Sequence, residues 1–252
     1  MFRVSFKDIT LYSLVGICLL VILNLVWMNN ILVTSITTVV GSIFASIIIS
    51  IIFQNILHDS FQTYSKIGIR KTYKNFEEAF ESIKKDISKS SKVDIFFMYG
   101  SSFINNASIS IKDLLSKKNT KLRFFIFSPD NPYIQAYGNQ WSTDSLKYNS
   151  DGIKNLILDS KENIKKIYDS IDKERRGSLE IYEIINSPLS YSFYKIDSKL
   201  YYVPSKLTTS KLFKHPVFLF EKSKDDRNLY NSIEKELDIM INSNEIIKIY
   251  PI

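Results

Sequence analysis

Residues 92–127 read KVDIFFMYGSSFINNASISIKDLLSKKNTKLRFFIF, and this stretch decides the fold of the larger part of the chain. Lys92 to Tyr99 is a short apolar run of the length and composition of a buried strand. Gly100-Ser101-Ser102 ends it. Ile111, Leu114 and Leu115 then recur at helical spacing between Ser108 and Lys117. Lys121 to Phe127 is a second apolar run, closed by Ser128-Pro129-Asp130-Asn131-Pro132. Strand, helix and strand with short connections predict a parallel βαβ unit.

Working outward, Phe76, Ala79, Phe80, Ile83 and Ile87 predict an amphipathic helix before the unit. A longer one is expected from about Gly152 to Lys173, with Gly177 as its C-cap. Strands follow at Ser178–Ile185, Tyr191–Ile196, Lys199–Val203 and Pro216–Glu221, with Asp197-Ser198 as a hairpin turn. A helix over Asp225–Ile241 and an edge strand over Asn244–Tyr250 close the chain. The expectation is one mixed-sheet α/β domain over residues 73–252, preceded by a linker at 58–72.

The amino-terminal segment is of another kind. From Ile9 to Leu57 there is no Asp, Glu, Lys or Arg. The run divides at Asn29-Asn30 into spans 10–28 and 31–53. Both meet the need of about 20 apolar residues for a helix to cross a bilayer. A cleaved signal peptide fits poorly, because the first span is too long and Trp27-Met28-Asn29-Asn30 lacks small residues at a cleavage site. Residues 1–57 are therefore expected to form a transmembrane helical hairpin. Arg3 and Lys7 precede it, and Lys66, Arg70, Lys71 and Lys74 follow it, so both termini should be cytoplasmic. The location this implies is a bacterial inner membrane.

Within the second span Thr38, Ser42, Ser46 and Ser50 recur every four residues, with Gly41 and Ala45 beside them. Small residues let helices approach closely, and hydroxyls can bond across the contact. The stripe suits packing against the first span, or a self-association face in a homo-oligomer.

Composition excludes several chemistries. The single cysteine, Cys18, leaves no intramolecular disulfide. With 2 His and 1 Cys a zinc site of the usual Cys/His kind is not expected, and the reading implies no metal and no cofactor. Seven glycines, with no P-loop or dinucleotide fingerprint, argue against a glycine-rich phosphate cradle. The net charge is +7, but basic residues are mixed with acidic ones, so a nucleic-acid partner is not implied. One binding feature remains. Gly100, Ser101, Ser102, Ser128 and Asp130 lie where the two parallel strands end, and ligands of open α/β sheets bind in such a crevice. Ordinary βα turns read the same way. A small anionic ligand such as a nucleotide is the functional expectation.

From about Ile69 to Ser243 the chain resembles one half of the phospholipase D fold. The resemblance is carried by Gly68-Ile69-Arg70-Lys71-Thr72-Tyr73, by Phe96 to Phe103, by Leu122 to Pro129, and by the hairpin ending at Asp197. It implies a catalytic H-x-K-x-x-x-x-D signature in that hairpin. With the acid on Asp197, the histidine falls on Ser190 and the lysine on Ser192. Serine without a base is a poor nucleophile and carries no charge to hold a phosphate. The resemblance thus implies a degenerate version of the fold. His215, before a strand, does not occupy the signature. A non-catalytic sensor and effector behind a two-helix hairpin is similar in layout to bacterial antiviral two-transmembrane effectors. The alternative is a membrane-tethered phosphodiesterase or nuclease with an atypical site.

Overall fold

The computed structural model describes residues 39, 41–42, 45–50, 68–141, 148–188, 191–204, 214–225 and 227–251. The chain divides into two compact units, Met1–Thr63 and Tyr64–Ile252.

In the first unit Val39, Gly41, Ser42 and residues 45–50 are helical. The rest of the two expected spans, Thr38 included, lies outside the described residues. Among the described residues no helix is long and apolar enough to cross a membrane. Ser42, Ala45, Ser46 and Ser50 are exposed and Gly41 is half-exposed. The Ser46 hydroxyl donates to the Ser42 carbonyl at 2.8 Å, so it is satisfied within its own helix.

The second unit is a mixed α/β domain. Its elements are β1 (Ile69–Tyr73), α1 (Phe76–Lys89), β2 (Lys92–Phe97), α2 (Ser101–Asn106), α3 (Ser108–Leu115), β3 (Lys121–Phe127) and α4 (Tyr133–Trp141). There follow α5 (Ser150–Asp169), β4 (Ser178–Ile184), β5 (Tyr191–Ile196), β6 (Lys199–Pro204), β7 (Val217–Glu221), α6 (Leu229–Ile241) and β8 (Ile246–Tyr250). One eight-stranded sheet has the order β1-β7-β6-β5-β2-β3-β4-β8. β2, β3 and β4 are parallel neighbours, and the remaining pairs are antiparallel.

Alternation along the strands separates two faces. Val93, Ile95, Leu122, Phe124, Ile126, Leu179 and Ile181 meet the buried sides of α1, α3 and α5, including Ile83, Ile87, Ile111, Leu114, Ile157 and Ile164. Full burial of each such side chain stabilises by roughly 1.5–3 kcal/mol. On the other face lies α6, which buries Tyr230, Ile233 and Leu237. Asparagines start three of the helices. The Asn75, Asn149 and Asn228 side chains accept backbone N–H groups of Glu78, Gly152 and Tyr230.

Two expectations differ from the structure, and one helix is new. Residues 69–72, expected in the linker, belong to β1. An edge strand exposes Arg70, Lys71 and Thr72 and buries only Tyr73 fully, so it lacks the apolar signature of a buried strand. α4 lies in a stretch for which the sequence gives no periodic signal, because it buries little beyond Ile134 and Gly138. α5 ends at Asp169, so Gly177 does not cap it. Gly177 instead lets two loops meet: a Cβ there would stand 2.2 Å from Thr120 Oγ1, and its N–H donates to the Leu115 carbonyl at 2.7 Å.

Candidate functional site: a strand-end crevice and a buried charge row

The structure brings Gly100, Ser101, Ser102, Ser128 and Asp130 to one end of the sheet, beyond the carboxyl ends of the parallel pair β2 and β3. Gly100 has φ +61°, in the left-handed region, and precedes α2. A Cβ at Gly100 would lie 2.4 Å from the Phe97 ring, so both conformation and space demand glycine. Ser128 is buried and its groups are spent on a turn. Its N–H donates to the Ile184 carbonyl at 2.9 Å, and its carbonyl accepts the Asn131 N–H at 3.0 Å. Asn131, also buried, ties the turn to the end of β4 through Nδ2, which donates to the carbonyls of Ile184 and Ser187. What stays open among the described residues is the Ser101 and Ser102 hydroxyls and the Asp130 carboxylate. α2 has six residues, too short for a strong dipole, and a carboxylate opposes an anion at the same spot. Of the residues described there, those left open make a neutral-to-acidic rim.

Two of the three signature positions are described. Ser192 sits on β5 opposite Val203. Ser190 lies outside the described residues. Asp197 is five residues beyond Ser192 along a strand that rises about 3.3 Å per residue, so roughly 16 Å separates them. Asp197 has φ +47°, and its carboxylate accepts the Lys92 N–H at 2.8 Å and the Ser91 N–H at 3.1 Å. Its carbonyl accepts the Tyr230 hydroxyl at 2.5 Å. Asp197 thus ties the β5–β6 turn to the start of β2 and to α6. His215 is half-buried, just before β7.

The most concentrated chemistry was missed by the sequence reading. On the face beneath α6, Lys195, Asp94, Arg123 and Glu180 are register neighbours across β5, β2, β3 and β4. Asp94, Arg123 and Lys195 are all buried. Arg123 donates to Asp94 through Nε at 2.6 Å and Nη2 at 2.9 Å. Lys195 Nζ stands 3.4 Å from Asp94 Oδ2 and 3.0 Å from Glu234 Oε1 of α6. Burial pulls the Arg123 and Lys195 cations down, but their carboxylate partners more than offset this and hold both above their ordinary values.

The flanking carboxylates are held the other way. Burial raises Glu234, but hydrogen bonds from Lys222 and Lys195 prevail and hold it at about 2. Glu180 is likewise raised by burial and lowered to about 2 by Lys121, Lys248 and Tyr182. Next along the strands is an aromatic row. Phe96 stacks on Phe193 at 5.3 Å, Phe125 stacks on Tyr182 at 5.1 Å, and the Arg123 guanidinium lies 5.6 Å from the Phe125 ring centre. Burial, and then Glu180, pushes the Tyr182 hydroxyl up to about 12.

Every charge of the row has a partner inside the domain, so it holds strands and α6 in register rather than offering a free acid, base or nucleophile. Among the described residues no group of three or more His, Cys, Asp or Glu could hold a metal ion.

No known family matches the chain, and no curated protein is similar enough to match. Among solved structures it matches that of TrmBL2, an archaeal chromatin protein described as showing a novel mode of DNA binding. The identity is 6%, the match covers 83% of this chain and 68% of that one, and the TM-score is 0.36, too low to bear on fold or function.

Proposed function

We propose that the protein is a membrane-anchored sensor and effector that acts without catalysis. The uncharged segment from Ile9 to Leu57 inserts as a two-helix hairpin, with both ends of the chain on the cytoplasmic side of a bacterial inner membrane. The α/β domain responds to a trigger, and the response drives assembly of hairpins into a homo-oligomer that disrupts the membrane in antiviral defence. The single observation that carries this reading is the charge-free run itself, which has no use in a water-soluble unit.

Two further observations support the absence of catalysis. Serines stand at the histidine and lysine positions of the phospholipase D-like signature, and Asp197 is engaged with backbone N–H groups instead of a base. The buried ionic row is internally paired. The trigger in this reading is a small ligand, such as a nucleotide, that uses the open hydroxyls of Ser101 and Ser102. Because Asp130 stands at the same rim, an anionic ligand would need a counter-cation or would touch the serines alone.

The test is inducible expression in bacteria of the full chain and of residues 64–252, following growth and membrane potential. Loss of potential only with the amino-terminal segment attached supports the proposal. Toxicity from residues 64–252 alone, abolished by His215→Ala, would instead assign an enzyme.

A further inference from the structure

We draw no further inference here: the strongest candidate, the outer edge of β8 at the margin of the sheet, where Ile247 is 54% exposed, carries nothing because no observation in the structure shows what covers it.

Discussion

Arg123 holds Asp94 with two hydrogen bonds, 2.6 and 2.9 Å long, in the centre of the sheet face that α6 covers. Asp94 is fully buried and Lys195 approaches it from the opposite strand. Breaking such a pair leaves an uncompensated charge in a low-dielectric interior. Asp94→Ala should destabilise the domain by about 3–5 kcal/mol, whereas Asp94→Leu combined with Arg123→Met should cost much less than the sum of the single changes. Urea denaturation of the four proteins of the cycle measures this. Arg123→Lys should fail to rescue, because an ammonium cannot form the two-pronged contact.

The carboxylates at the margin of the row make stability depend on acid. Glu180 and Glu234 both titrate at about 2 in the folded state. An unfolded glutamate titrates near about 4.3. Their folded values are depressed, so the stability they contribute is complete above the unfolded value and is lost as the pH falls toward 2. The urea midpoint should decline below about pH 4.5 in the parent chain. Glu234→Gln should lower the midpoint at neutral pH and flatten that decline. An unchanged slope in the variant would show that Glu234 is not bound to Lys195 and Lys222 in solution.

Gly100 is fixed by its backbone and by the Phe97 ring together. Gly100→Ala should cost about 1–3 kcal/mol from the left-handed conformation, with a further loss from displacing the ring. Thermal unfolding would show it. A neutral result would mean that the turn after β2 relaxes without Gly100.

Much of this architecture was legible in the sequence. The apolar runs of β2 and β3, the helical spacing of Phe76 to Ile87 and the turn at Asp197-Ser198 were strong because burial dictates them. β1 and α4 were not, because β1 buries only Tyr73 and α4 only Ile134 and Gly138, so neither has a periodic pattern. The charge row left a trace: Asp94, Arg123 and Lys195 each interrupt an otherwise apolar strand. Only the register of β2 with β3 and β5 shows that the three interruptions coincide. Which strands are neighbours is a tertiary fact, and no local spacing encodes it. Gly100, Ser101, Ser102, Ser128 and Asp130 follow the two apolar runs in the sequence and so lie beyond the ends of β2 and β3, whereas the use of Ser128 by its own turn depends on Asn131 and on the end of β4.

The small-residue stripe gives a prediction with an internal control. Ser46 already bonds to the Ser42 carbonyl, so Ser46→Ala should leave assembly unchanged. Gly41→Leu adds bulk where close helix approach is expected, and should weaken oligomers in detergent or vesicles, as read by crosslinking. If both variants crosslink like the parent, the stripe is not a self-association face.

The segment Ile9 to Leu57 is proposed to hold the chain in a bilayer with both ends inside the cell. This is tested most directly by alkaline carbonate extraction of membranes from cells expressing the full chain, with a tag after Ile252 probed by protease from either side. The chain should stay in the membrane pellet, and the tag should be cut only from the cytoplasmic side. Release into the carbonate supernatant, or cleavage of the tag in intact spheroplasts, would contradict it.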